Sequence, residues 1–202
     1  MVTDRLPAEF LEQVRVLERA YLQESDPIRQ SGFAGGAVRW RAEREPILDA
    51  VERGGDLLDV GCANGYLVEC LVTWGRERGL DLVPFGVDRS DALVALARRR
   101  LPECAARFWV ANAWEWQPPR RFRYVYALHD CVPGEYLRSF VERLLGGAVA
   151  SGGRLIIGAY GSHSRQEAPL DIARRLAALD FRISGESAGG DPVLSRFAWI
   201  NA

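Results

Sequence analysis

The chain has 202 residues, enough for one compact domain with a substantial core, and its 48% hydrophobic and 26% charged content is that of an ordinary globular protein. A formal net charge of −1 removes the electrostatic reason to expect a nucleic-acid or membrane-surface partner, which a clustered basic excess would supply. All 26 basic residues are arginine, and runs such as Arg98-Arg99-Arg100 and Arg120-Arg121 read as solvated faces.

Met1-Val2-Thr3-Asp4-Arg5 leads into an amphipathic stretch without a long apolar core, so no signal peptide is expected. No apolar run approaches the ~18 residues that a membrane-crossing helix needs. Cys62, Cys70, Cys104 and Cys131 form no C-x-x-C pair, and with only His129 and His163 beside them a zinc site is not expected. Free thiols in apolar settings fit a reducing compartment, so the expected location is the cytoplasm.

Phe10, Leu11, Val14, Leu17, Ala20 and Tyr21 recur at helical spacing, predicting a helix from about Pro7 to Gln23 that Ser25-Asp26-Pro27 stops. The glycine-rich bend Ser31–Gly36 precedes a second predicted helix, about Ala37 to Glu52, closed by Gly54-Gly55. These two helices stand outside any alternating pattern, so residues 1–54 read as an N-terminal cap, with Phe33 and Trp40 placed to fold over a site as a lid. From residue 55 to 202 strands and helices alternate as one core unit. Strands are expected at Leu57–Val60, Leu82–Val87, Arg107–Val110, Tyr124–Leu128 and Arg154–Ala159, the last after a Gly152-Gly153 turn. Helices are expected at Tyr66–Arg78, after the Ser90-Asp91 cap, from about Gly134 to Val149, and from about Pro169 to Leu179. Phe181–Glu186 and Leu194–Ile200 close the chain. The short link Ser187–Val193 has no room for a helical crossover, so this last pair should be an antiparallel hairpin.

Five strands with helical connections predict an α/β fold, a doubly wound sheet with helices on both faces. Ligands then bind beyond the carboxyl ends of the strands, where strand order reverses. The first strand ends in Asp59-Val60-Gly61-Cys62-Ala63-Asn64-Gly65, in which Gly61 and Gly65 allow close backbone approach and a helix N-terminus follows. The second delivers Asp88-Arg89, and Asp88 suits the two hydroxyls of a ribose. The third delivers Asn112-Ala113-Trp114, suited to an adenine edge and face, although Trp114 fits core packing equally well. The fourth delivers His129-Asp130, and the fifth Tyr160 with His163 on the loop beyond.

On these residues the chain resembles the class I S-adenosylmethionine-dependent methyltransferases, from about Ala37 to Ala202. Leu58–Gly65 resembles the family's acidic-x-Gly-x-Gly-x-Gly loop, with Ala63 in place of the middle glycine, and Asn112 stands where aspartate is more frequent. The resemblance implies S-adenosylmethionine as cofactor and a seven-stranded sheet of order 3-2-1-4-5-7-6 with strand 7 antiparallel. It places Asp59, Gly61, Cys62, Ala63, Asn64 and Gly65 at the amino-acid end of that cofactor, Asp88 and Arg89 at its ribose, and Asn112, Ala113 and Trp114 at its adenine. The G-x-G-x-x-G spacing of a nicotinamide enzyme is absent, since Ala63 and Tyr66 follow Gly61.

Methyl transfer needs in-line positioning and, for a hydroxyl acceptor, a base. His129 is the first candidate, since imidazole is the side chain best matched to proton abstraction near neutrality, and Asp130 can orient it or bind a substrate cation. Wall of the pocket is an equal reading for His129, and His163 is a weaker candidate for the base. The chain reads Leu128-His129-Asp130-Cys131-Val132-Pro133 where a base-modifying enzyme would carry Asn/Asp-Pro-Pro-Tyr/Phe. A small-molecule acceptor, methylated on O or N, is therefore expected, with no nucleic acid and no membrane as partner. An RNA or protein methyltransferase and a non-catalytic S-adenosylmethionine-binding protein stay open as alternatives.

Overall fold

The computed structural model describes residues 5–202, so Met1–Asp4, on which part of the signal-peptide reading falls, lie outside the described residues. In chain order the elements are α1 (Ala8–Leu22), α2 (Gly36–Arg44), β1 (Gly55–Val60), α3 (Tyr66–Glu77), β2 (Leu82–Asp88), α4 (Asp91–Arg100) and β3 (Phe108–Val110). They continue with β4 (Phe122–Leu128), α5 (Leu137–Gly147), β5 (Val149–Tyr160), α6 (Ile172–Ala177), β6 (Gly185–Gly189) and β7 (Ser195–Asn201). The seven strands form one sheet of order β3-β2-β1-β4-β5-β7-β6. Strands β1 to β5 pair in parallel, and β7 runs antiparallel to both β5 and β6. The expected order, closing hairpin and antiparallel seventh strand are all present.

Strand alternation divides the core into two layers. Leu58, Val60, Val125, Ala127, Leu155 and Ile157 face α5 and α6. Leu57, Tyr124, Tyr126, Ile156 and Phe197 face α2, α3 and α4. Both faces of the central strands are therefore dry, and no helix among the described residues is long and apolar enough to cross a membrane.

Three boundaries depart from the sequence reading for identifiable reasons. The second helix does not run to Glu52. It ends at Arg44 and tightens into a 3₁₀ segment, Glu45–Ala50. Pro46 has no N–H for the Ala42 carbonyl, which instead accepts from Gly190 N at 3.2 Å. The fifth strand starts at Val149, not Arg154, because Gly152-Gly153 form an irregularity within the strand rather than a turn before it. Val149 pairs with Phe122 and Arg154 with Tyr124, so the intervening residues bulge. The sixth strand begins at Gly185, because Phe181 N bonds back to Leu176 O at 3.2 Å and closes α6.

The two bulge glycines are needed for different reasons. Gly152 has φ +68° with open space around it, whereas a Cβ on Gly153 would stand 2.5 Å from the Arg123 carbonyl and 2.8 Å from that of Ala150. Gly152→Ala should cost about 1–2 kcal/mol of stability from backbone strain alone. Gly153→Ala, which has to move backbone, should cost about 1–3 kcal/mol and shift the β4–β5 register. Urea denaturation of both variants checks the ranking.

Candidate functional site

At the carboxyl end of β1 the chain turns sharply. Gly61 has φ +87°, and the Gly61 and Cys62 N–H groups both donate to the Val87 carbonyl of β2, at 2.8 and 3.1 Å. Gly65, φ +75°, starts α3. Asp88 then ties the two loops together: Oδ2 accepts from Ala63 N and Oδ1 from Ser90 N, each at 2.9 Å. Ser90, whose Oγ accepts from Leu93 N, caps α4, so Asp88 is released from that role. Beside this knot lies a cavity of about 220 Å³ whose rim carries Gly61, Ala63, Asp88, Arg89, Asn112 and Ala113. Leu128, Asp130 and Cys131 close it on the β4 side.

Seven of the residues singled out in the sequence thus meet at one cavity: Gly61, Ala63, Asp88, Arg89, Asn112, Ala113 and Asp130. Arg89 also reaches α1, its Nη1 donating to the Leu11 carbonyl at 3.4 Å. Asn112 Oδ1 accepts from Trp114 N at 3.1 Å, which bends the loop after β3. The others serve differently. Trp114 turns inward, 4% exposed, against Tyr136 and Arg143, so it is core rather than a cover for a ring. Cys62 is buried against Gly86, where a Cβ would come within 2.7 Å of its Sγ. Gly65 makes room for helix packing, since a Cβ there would meet Ala97 Cβ at 2.9 Å. Asn64 is fully buried and faces the N-terminal segment. Its Nδ2 donates to Pro27 O and Gln30 Oε1, and its Oδ1 accepts from Ser31 Oγ and Tyr66 N. His129 is half-buried beside the cavity and His163 is exposed on the loop after β5. Neither is among the lining residues.

The roof of the cavity comes from α1, within the N-terminal segment read as a cap. Phe10, Leu11, Val14, Leu17 and Tyr21 of α1 face the cavity, and Glu18 Oε1 meets Ser90 Oγ at 2.5 Å. The sequence reading places the covering side chains at Phe33 and Trp40 of the same segment. Trp40 is instead 2% exposed, packed against Phe33 and Tyr66, with its indole N–H donating to Cys70 Sγ. Glu18 and Tyr21 bring polar atoms to an otherwise apolar wall. Burial, then the charges of Asp130 and Asp88, push the Tyr21 hydroxyl upward, and burial raises Asp88 with Glu18 adding to it.

Asp59 lies on the α2/α3 side of the sheet, 2% exposed. Burial, and then the Asp88 charge, push its carboxyl up to about 7. It lies outside the cavity lining, yet its charge reaches Cys131 of the cavity wall and the hydroxyls of Tyr126 and Tyr160. Among the described residues no group of His, Cys, Asp and Glu is arranged to hold a metal ion.

No family model matches the chain, and no curated protein does. Solved structures do. An S-adenosylmethionine-dependent methyltransferase from Aquifex aeolicus aligns over 89% of this chain and 95% of its own, at 16% identity and a TM-score of 0.58. DhpI in complex with SAH aligns over 94% and 95%, at 21% and 0.61. The glycopeptide N-methyltransferase MtfA, complexed with S-adenosyl-L-homocysteine, aligns over 83% and 91%, at 12% and 0.60. At such identities the likeness is one of fold.

The buried Asp59 has a consequence for stability. A carboxyl whose pKa is higher in the folded than in the unfolded chain binds more protons when folded, so stability falls as pH rises from about 4 through about 7. Asp59→Asn should remove that slope and stabilise the ligand-free protein above pH 7 by on the order of a few kcal/mol. Melting temperatures of both proteins across pH 5–8.5 test this, and parallel curves would refute it.

Proposed function

We propose that this chain, which has the class I S-adenosylmethionine-dependent methyltransferase fold, transfers the methyl group of S-adenosylmethionine to a small-molecule acceptor. One observation carries the reading: the cavity lies at the switch point of the sheet, where Gly61, Asp88 and Asn112-Ala113 of three successive strand ends meet. The residues fit the cofactor. A Cβ on Gly61 would meet nothing but Cys131 Sγ, at 3.4 Å, so the turn presents bare backbone to the cavity. Each oxygen of Asp88 accepts one backbone N–H and keeps a lone pair for a ribose hydroxyl. Asn112 and the Ala113 N–H suit the adenine edge, and Asp59 is a buried carboxyl for an ammonium group.

S-adenosylmethionine supplies the activated methyl group, so the protein's task is to align an acceptor with it. Positioning of this kind is worth roughly 7–11 kcal/mol. Asp130 on the cavity wall and His129 beside it stand at the end of β4, where His129 serves as proton acceptor for a hydroxyl and Asp130 orients it or an acceptor cation. The α1 roof, mostly apolar toward the cavity, limits the access of water and of a polymer strand, which supports a small acceptor. Four unpaired cysteines support a reducing, cytoplasmic location.

Calorimetry with S-adenosylhomocysteine tests the reading directly; absence of binding would overturn it. Asp88→Ala should weaken that binding about tenfold or more, the loss expected for hydrogen bonds to a charged acceptor. Its melting temperature, recorded alongside, separates loss of ligand contacts from loss of the loop tie.

Proton linkage gives a second check on Asp59. An ammonium group beside Asp59 stabilises its ionised form, so binding should release close to one proton at pH 6 and almost none at pH 8.5. Binding enthalpies in buffers of different ionisation heat read this number, and Asp59→Asn should abolish it.

A further inference from the structure

Among the described residues, two buried side-chain polar atoms have no hydrogen-bond partner: Arg44 Nη1 and Ser195 Oγ. They belong to elements far apart in sequence, yet both stand beside Tyr160. Ser195 is directly opposite Tyr160 in the β5–β7 ladder, so the two side chains share a face. A Cβ on neighbouring Gly189 would meet both Ser195 Oγ, at 2.8 Å, and the Ala42 carbonyl, at 2.5 Å, which puts that face against the end of α2. From α2 the Arg44 guanidinium enters a box of rings, with its Cζ 4.0 Å from the centre of Trp40, 4.2 Å from Phe33 and 4.4 Å from Tyr160. The Tyr160 hydroxyl lies 3.0 Å from that of Tyr126, and glycine at 158 lets this happen, since a Cβ there would come within 2.8 Å of the Tyr126 hydroxyl.

Ring faces attract a cation but accept no strong hydrogen bond, so the box holds the guanidinium without satisfying it. Glu43 does not neutralise it fully. Its Oε1 takes both Nε and Nη2 of Arg39, at 3.1 and 2.8 Å, and its Oε2 stays 3.6 Å from Arg44 Nη1, beyond hydrogen-bond reach. A 5% exposed guanidinium with an unused N–H, and an unused hydroxyl across from it beside Tyr160, are donors suited to an acceptor with more than one oxygen.

We propose that Arg44, Ser195 and Tyr160 bind an oxyanion, a carboxylate or phosphoryl-type group, of the methyl acceptor. This rests on the methyltransferase reading and deepens it by naming the acceptor's chemical class. The position favours acceptor over donor. From Asp88 on β2 to Tyr160 on β5 are three strand spacings, about 14 Å, and the donor's amino-acid end is already assigned to the loop after β1, two strands short of β5.

The test uses protein saturated with S-adenosylhomocysteine, titrated with sodium acetate and with inorganic phosphate at constant ionic strength while indole N–H resonances are followed by NMR. Saturable shifts are expected, with an apparent Kd at least tenfold weaker in Arg44→Gln and S-adenosylhomocysteine affinity within twofold of the parent. Ser195→Ala should act in opposite directions on two readouts, raising the melting temperature of the ligand-free protein while weakening the anion. A merely structural serine would not do both, and this arm stands alone if Arg44→Gln does not fold. The proposal is overturned if neither anion produces a saturable shift. It is also overturned if anions compete with S-adenosylhomocysteine and Arg44→Gln weakens both equally, which would assign Arg44 to the donor's carboxylate. Failure of the parent protein to bind S-adenosylhomocysteine, read before any anion is added, would instead remove the underlying reading.

Discussion

The carboxylate of Asp88 holds together two loops that would otherwise be independent. One oxygen takes the Ala63 N–H of the loop after β1, and the other takes the Ser90 N–H after β2. Ala63 itself sits at φ 45°, an unusual conformation for a residue with a side chain, and needs such a partner to stay there. Asp88 is half-buried at the cavity rim, and burial raises its carboxyl despite both amides. The cavity wall, the start of α4 and the exposed backbone of Gly61 all follow from this one stitch.

Much of this was legible in the sequence because it was carried by local signals. Short, nearly continuous apolar runs at Leu57–Val60 and Tyr124–Leu128, the Ser90 cap, and a terminal link too short for a helix were enough to derive the α/β layering and the closing hairpin. The full strand order came from the family resemblance, and the sheet has it. What escaped was direction. Asn64, in a glycine-rich loop, looks like a ligand contact until Pro27, Gln30 and Ser31 take its amide. Trp114 follows a cavity-lining pair in sequence, but the turn made by Asn112 swings it into the α5 layer. No spacing rule distinguishes these outcomes, because each depends on partners remote in the chain. Arg44 and Ser195 were invisible for the same reason.

The two sides of the rim also differ in how they treat polarity. Around Asp88 every buried side-chain polar atom among the described residues finds a partner. Around Asp59, Tyr126, Tyr160 and Arg44 the charges are incompletely matched, with one carboxyl pushed up to about 7 and one guanidinium boxed by rings. Unmatched buried polarity costs stability, so a fold that keeps it has a use for it there or has failed to remove it. Its place at the strand ends, on the side away from the Asp88 carboxylate, supports the first account.

The α1 roof shapes the timing of any ligand's stay. None of its 15 residues is fully buried, and its polar ties to the rim are the Glu18–Ser90 and Arg89–Leu11 hydrogen bonds. A segment with so little buried area opens by local unfolding at a free energy far below that of the whole domain. Entry and escape are then set by a fraying equilibrium, and a ligand that packs against Phe10, Leu11 and Val14 lengthens its own residence by suppressing that fraying. In such an arrangement the barrier to ligand exchange resides in one helix and its ties to the rim, and the seven-stranded sheet beneath it need not move.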